Sequence, residues 1–271
     1  MTAVTTEVSV TEIYIQGSGK RPASGMPPRK IELLRALKAM RRLIADKDDT
    51  GQVFEIMNAL SGSSIKRGYD KLLDHSYGGV AAYERPELAD MLQDREMLRT
   101  FPDGTLGKAY LAFIEAQDFS AYGLAGESQK VGDTLIEAAH PHAWYARRLR
   151  DIHDLWHVIT GYEADALGEA CLVAFSYSQT RSKGFGLIAL AAVVQFMRAR
   201  TGYPAARSIV RAFKDGRKAA WLPGLNYKDV LAMPLEEVRE RARIAEPLLY
   251  LQVPKAVRNQ YSGGKDAPKA A

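Results

Sequence analysis

Apolar residues recur with the three- to four-residue spacing of amphipathic helices along most of this 271-residue chain. Strict alternation of apolar and polar residues, which is typical of a strand, is found only at Glu7–Ile15. We therefore predict an all-α fold, a single-domain helical bundle. The predicted helices are Leu33–Ile44, Val53–Leu60, Leu106–Gln117, Trp144–Ile159, Asp165–Tyr177, Leu187–Met197, Pro204–Phe213 and Pro234–Ile244.

Glycine and proline cluster only near the ends of the chain, at Gly17–Pro28 and Ser262–Pro268. No comparable linker interrupts residues 31–258, so we predict one helical catalytic or lipid-binding domain there. Residues 1–30 and 259–271 are predicted to be mobile tails. The only cysteine, Cys171, excludes an internal disulfide and a cysteine-rich zinc site.

The first predicted helix is amphipathic and basic. Residues 20–48 hold nine Lys/Arg against three Asp/Glu, within a chain of net charge +5. We expect the apolar face of this helix to pack on the core; the alternative is that it lies on an anionic membrane surface. No aromatic-basic platform accompanies the charge, so we expect no nucleic-acid partner. The apolar face consists of Leu33, Leu34, Leu37, Met40, Leu43 and Ile44.

The candidate chemistry lies in His153, Asp154 and His157, with Glu169 following after eleven residues. Histidines four apart share one helix face, about 6 Å apart along the axis, and Asp154 borders that face. In a continuous helix Glu169 would lie about 18 Å from His157. Gly161 supplies a helix end, so we expect the chain to turn back and return Glu169 to the histidines. The predicted metal site between two adjacent helices comprises all four side chains.

Two imidazoles and two carboxylates suit a divalent metal, zinc first, with iron, cobalt and manganese also compatible. The spacing is similar to the H-E-x-x-H pattern of zinc proteases, where the glutamate is a general base. Asp154 stands in that position and is one methylene shorter. A metal-dependent hydrolase is therefore an alternative, but the glutamate that would act as its general base is absent. Asp151 could orient one imidazole from behind.

The motif H-D-x-x-H, eleven residues and E resembles the signature of the coenzyme Q biosynthesis protein 4 family. The four residues match it without departure. Tyr83–Pro86 and Phe101–Tyr110 are similar to a second conserved region of that family, although Leu106 stands where phenylalanine is expected. The resemblance covers roughly residues 50–250.

The resemblance implies an all-helical fold and work on a polyprenylated 4-hydroxybenzoate in ubiquinone biosynthesis. It implies metal-dependent loss of the carboxylate at ring carbon 1, with hydroxylation there if the ion is redox-active. His153, Asp154, His157 and Glu169 would act through the metal, and Arg150 (or Arg147 or Arg148) would bind the substrate carboxylate. A polyprenyl tail needs an apolar groove or tunnel, which the predicted helix Leu187–Met197 could line. The alternative is that this helix is an ordinary part of the core. The candidate lining is Leu187, Ile188, Leu190, Val193, Val194 and Phe196.

A second implied role is a non-catalytic scaffold that binds the prenylated lipid and other ubiquinone biosynthesis enzymes, with the metal as a structural element. Peripheral membrane contact is expected, and a homodimer is left open. The first residues lack a basic segment followed by an apolar run, and Gly184–Met197 is too short to cross a bilayer. We therefore expect a bacterial cytoplasmic protein, peripheral on the inner membrane.

Overall fold

A computed structural model describes residues 30–45, 49–116 and 140–259. Within these ranges the chain is helical; its single β-bridge, Thr105 to Pro234, is isolated. The all-α prediction is confirmed, whereas the segment Glu7–Ile15, with its strand-like alternation, lies outside the described residues. The helices of the first half are α1 (Leu33–Ala45), α2 (Thr50–Leu60), α3 (Ser64–Leu73), α4 (Gly78–Glu84), α5 (Leu88–Gln93), α6 (Arg95–Thr100) and α7 (Leu106–Ala116).

The second half of the chain carries the longest helices. They are α8 (Pro141–Asp151), α9 (His153–Thr160), α10 (Ala166–Thr180), α11 (Lys183–Arg198), α12 (Ala205–Lys218), α13 (Tyr227–Val230), α14 (Leu235–Ala242), α15 (Leu248–Leu251) and α16 (Lys255–Arg258). The structure does not test the predicted domain limits, so the single domain over 31–258 and its two mobile tails remain predictions.

Helix α10 lies at the centre of the core and packs most extensively against α12 and α11. It is buried on nearly all sides, from Leu167 through Phe175. Helix α9 contacts α7, α8, α10 and α14, and its Leu155, Trp156 and Ile159 join the same core. The two helices of the predicted metal site are therefore held on several sides.

The predicted single helix Trp144–Ile159 is wrong in one respect, because the structure divides it into α8 and α9 at Ile152. The backbone of Ile152 has φ −83° and ψ −2°, so the α-helical path is interrupted for one residue. Hydrogen bonds continue across the break, from the Ile152 amide to the Arg148 carbonyl and from the Trp156 amide to the Ile152 carbonyl. A buried isoleucine gives no sequence signal for such a break.

The predicted reversal at Gly161 is present. Gly161 has φ +76°, a left-handed conformation that glycine adopts without a Cβ clash, and its amide donates to the His157 carbonyl. Asp165 then begins α10, because its Oδ1 accepts from the Gly168 amide at 2.7 Å. Its second oxygen accepts from the Tyr250 hydroxyl at 2.5 Å, which ties the cap to α15.

Replacing Asp165 with alanine should lower the free energy of unfolding by about 2 kcal/mol, because one cap and one buried hydrogen bond are lost together. Asp94 offers a matched control, since it caps α6 through the Met97 amide and no hydroxyl group of the described residues donates to its second oxygen. Asp94→Ala should cost about 1 kcal/mol. Urea unfolding followed by circular dichroism measures both, and equal costs would contradict the anchoring role of Tyr250.

The expected core packing of α1 is wrong for most of its apolar face. Ala36, Ala39 and Met40 are buried against α2, whereas Leu34 is 85% exposed. Leu33, Leu37 and Ile44 are also exposed. Helix α1 is covered on one side only, so the larger aliphatic side chains lie outside that contact. The alternative of an exposed basic amphipathic helix fits this arrangement.

Helix α11 is likewise only partly covered. Ile188 and Val193 pack against the core and Phe196 is buried within it, but Leu190 and Val194 are exposed. A groove or tunnel along this helix therefore remains a prediction. None of the helices in the described part of the chain is long and apolar enough to span a bilayer.

Candidate metal centre

Two histidines of α9 and one glutamate of α10 meet where the chain reverses. The Nε2 atom of His157 lies 3.1 Å from one carboxylate oxygen of Glu169, and the Nε2 atom of His153 lies 3.5 Å from the other. One donor atom from each of the three residues lies within 4.8 Å of the other two. Within the described ranges this is the one His/Cys/Asp/Glu cluster with such spacing. The predicted return of Glu169 to the histidines is thus present.

Contacts behind the site fix the orientation of His157. Its Nδ1 lies 2.9 Å from the Tyr162 carbonyl oxygen, and because a carbonyl only accepts, Nδ1 carries the proton. Nε2 faces Glu169 and is therefore the nitrogen that would bind a metal, after losing the proton that it shares with the carboxylate. The ring of Phe113 stacks on His157 at a centroid distance of 5.4 Å. The side chain of His157 is 1% exposed, so its neighbours hold it in place.

The charges of Glu169 and His157 stabilise each other. Burial alone would raise the pKa of Glu169, but the charge of His157 and hydrogen bonds from His153 and His157 outweigh it, so this pKa lies below its usual range. Burial would lower the pKa of His157, but the Glu169 carboxylate reverses that and raises it. Glu169 is therefore a carboxylate at neutral pH, as metal binding requires.

The Asp154 carboxylate does not belong to the group formed by His153, His157 and Glu169. Burial raises its pKa, the two histidines oppose this, and Glu169 adds to it. Asp154 therefore interacts electrostatically with the site, but its assignment as a fourth ligand is untested and remains a prediction.

The arginines before the motif already have protein partners. Arg150 donates from Nε to Asp151 at 2.9 Å, and Arg147 makes two hydrogen bonds to the carboxylate of Glu87. Arg148 is buried and donates to backbone carbonyls beyond α12. Asp151 thus pairs with Arg150, whereas the carbonyl behind His157 belongs to Tyr162. Substrate binding by Arg150 remains a prediction.

Tyr162 and Phe113 were not identified from the sequence. Tyr162 directly follows Gly161, so a carbonyl near the imidazole could have been expected from the helix end alone. Phe113 comes from α7, forty residues before the motif, and its contact with His157 depends on how α7 packs against α9. Its helical spacing marks it as apolar but says nothing about a metal site.

Fold and site together define an all-helical protein with a candidate two-histidine, one-carboxylate metal centre between consecutive helices. A sequence profile of the family described as coenzyme Q (ubiquinone) biosynthesis protein Coq4 matches residues 32–247. The chain therefore belongs to the Coq4 family of ubiquinone biosynthesis proteins, and the resemblance noted from the motif is confirmed.

Individual relatives agree with this assignment. The chain is 27% identical over 183 residues to the ubiquinone biosynthesis protein COQ4 homolog, mitochondrial, of Bos taurus, covering 68% of this chain and 66% of that protein. It is 26% identical over 187 residues to ubiquinone biosynthesis protein COQ4, mitochondrial, of Scheffersomyces stipitis, covering 68% and 55%. The matches thus span 55% to 66% of these relatives' own length.

A crystal structure of a protein from Nostoc punctiforme PCC 73102 has the same fold. The TM-score is 0.60 at 21% sequence identity, and the match covers 79% of this chain and 98% of that one. This likeness independently supports the all-helical architecture.

The expected bacterial cytoplasmic location is wrong by these comparisons. The relatives from Bos taurus, Scheffersomyces stipitis and Botryotinia fuckeliana are all named mitochondrial. The expectation depends on the amino-acid composition and on the pattern of the first residues, and neither of these identifies the compartment of the protein.

Proposed function

We propose that this protein acts in ubiquinone biosynthesis as a metal-dependent enzyme that removes the carboxylate at ring carbon 1 of a polyprenylated 4-hydroxybenzoate. Family membership supports the pathway, and the group formed by His153, His157 and Glu169 supports the metal dependence. Breaking the ring-to-carboxylate bond leaves an electron pair on carbon 1. In the simple route a proton takes the place of the carboxylate. In the oxidative route one atom of dioxygen becomes the hydroxyl oxygen, and a two-electron donor with two protons reduces the other atom to water.

The observation that carries the proposal is the number of ligands. Structural zinc sites close with four protein ligands, whereas catalytic sites hold the ion with three and leave a position for water or substrate. Here three donors converge, and two of their side chains are partly accessible to solvent: that of Glu169 is 46% exposed and that of His153 is 22% exposed. Two histidines and one carboxylate also form the ligand set of non-haem iron enzymes.

The donor set fits zinc, iron, cobalt or manganese. His157 holds its position through Tyr162 and Phe113, and Glu169 supplies the negative charge. When bound, the metal would supply a Lewis acid that stabilises charge on a carboxylate or phenolic oxygen of the substrate. We propose that Arg150 supplies a positive charge that binds the substrate carboxylate. We also propose that Asp154 is a fourth residue of the metal site.

Purified protein supplied with divalent metal and a prenylated hydroxybenzoate should release CO2 and form the decarboxylated ring. His153→Ala should lower kcat by at least about a hundredfold, because two ligands hold a catalytic ion poorly. Glu163→Gln, which removes an equally exposed carboxylate outside the donor group, should retain activity. Absence of turnover in the wild type, or full turnover by His153→Ala, would refute the proposal.

The second candidate is a lipid-binding scaffold with a structural metal. It is favoured by the exposed apolar face of α1, where Leu33, Leu34 and Leu37 lie among basic residues and could contact a membrane surface or a partner enzyme. In this case a Glu169→Gln protein that still folds and assembles with its pathway partners would sustain normal ring chemistry. Loss of product with assembly intact would exclude the scaffold. The hydrolase alternative has no support from the family match.

A further inference from the structure

A cavity lies at the other end of α10, away from the metal centre. Glu169 is in the first turn of this helix and Gln179 in the last, so the two sites are separated by about 15 Å of helix. The cavity has a volume of about 450 Å³, within the range typical of small-molecule sites. We call it the basic pocket; its lining includes Arg67, Lys71, Arg181, Arg217, Gln179 and Trp221.

The four cations of the basic pocket have no acidic partner in the part of the chain that the structure describes. Arg67 donates to the hydroxyl of Ser63, and the Lys71 ammonium lies 4.4 Å from the centre of the Trp221 ring. By contrast, nearby exposed arginines such as Arg211 pair with a carboxylate. Burial and then the charge of Arg181 lower the pKa of Lys71, with no carboxylate opposing them.

Helix ends do not account for these cations. Positive side chains often complement the last carbonyls of a helix, but here neutral donors satisfy two such carbonyls in α10 and two in α12. The Trp221 indole donates to the Gln179 carbonyl at 3.0 Å, and the Gln179 amide donates to the Gly216 carbonyl at 2.6 Å. The backbone amide of Arg181 donates to the Tyr177 carbonyl, and the backbone amide of Ala219 donates to the Asp215 carbonyl. The cationic groups therefore remain available to a ligand.

We propose that the basic pocket binds a phosphate-bearing ligand, a phosphate monoester or a diphosphate. Three guanidinium groups and one ammonium match an anion of two or more charges, and guanidinium pairs bidentately with phosphate oxygens. The Trp221 ring borders the cavity and can contact the apolar part of such a ligand. The phosphate could belong to a free small molecule or to a lipid headgroup. This site is separate from the metal centre and does not depend on the function proposed there.

Titration calorimetry with inorganic pyrophosphate at low ionic strength tests the proposal. Lys71→Gln combined with Arg181→Gln should weaken binding by about tenfold or more, a loss that excess sodium chloride should reproduce in the wild type. The charge-matched control is Arg207→Gln with Lys214→Gln, which removes two exposed cations of α12 outside the pocket; its affinity should stay within about twofold of the wild type. Unchanged thermal unfolding midpoints verify that each variant is folded.

Pyrophosphate also chelates divalent ions, but binding at the metal centre would be the same in both double variants. Sedimentation with phosphatidylcholine vesicles, with and without phosphatidic acid, separates the two sources of phosphate. Pyrophosphate-sensitive sedimentation only with phosphatidic acid, lost in Lys71→Gln/Arg181→Gln, identifies a headgroup; titration heat without sedimentation identifies a free ligand. No pyrophosphate binding by the wild type, or equal binding by the two double variants, would overturn the proposal.

Discussion

Protein carrying Glu169→Gln should retain less than about a tenth of the divalent ion bound by the wild type, since losing one ligand carboxylate costs at least about a hundredfold in affinity. Glutamine keeps the size of the side chain but removes the negative charge that lies 3.1 Å from His157. The remaining two imidazoles are neutral ligands. Elemental analysis after exhaustive dialysis measures the ion, and circular dichroism verifies the fold.

The matched control is Glu163→Gln. The side chains of Glu163 and Glu169 are both 46% exposed. Glu163 lies three residues before α10, and Glu169 lies in its first turn. Glu163 instead pairs with Lys255 and Arg258. Its glutamine variant should retain the ion fully. Equal ion content in the two variants would show that the metal binds somewhere other than the His153–His157–Glu169 group.

Gly168→Ala should produce the largest loss of stability among single-methyl changes near the site. A Cβ at this position would lie 1.9 Å from the carbonyl oxygen of Glu163, which is backbone and cannot rotate away. The first turn of α10 must shift, and overpacking of this kind costs about 2–3 kcal/mol. Because Glu169 is the next residue, ion retention should fall together with the free energy of unfolding.

Gly79→Ala is the control for this prediction. Gly79 lies in α4, and a Cβ there meets no atom within 4 Å, so the added methyl group should leave stability unchanged or raise it by up to about 1 kcal/mol. Chemical unfolding followed by circular dichroism compares the two variants. If Gly168→Ala unfolds at the same denaturant concentration as Gly79→Ala, the close contact between residues 168 and 163 is not present in solution.

The reversal between α9 and α10 was predictable because each signal is local. Histidines four apart share a face, glycine permits the left-handed turn, and Asp165 caps the helix that follows. These local signals predict that His153, His157 and Glu169 lie close together. The same reasoning adds Asp154 to the predicted ligand set, and that assignment remains a prediction.

The environment of α1 was not predictable in the same way. Periodicity shows that Leu33, Leu34 and Leu37 share a face, but it does not show whether another helix covers that face. The division of the motif helix at Ile152 was equally hidden, because a single buried isoleucine carries neither a glycine nor a proline signal. The pairing of Arg150 with its neighbour Asp151 was also not predicted, and substrate binding by Arg150 remains a prediction.

By itself, the sequence determined the all-helical class, the family and the candidate donor residues, because helical period, caps and short motifs depend on neighbours within a few positions. Only the tertiary structure decided how Tyr162 and Phe113 hold His157. It also decided that four cations, two from α3, one from α12 and Arg181 directly after α10, surround one cavity. Those features depend on contacts between residues distant in the chain, which are set by the packing of α10 against its neighbours.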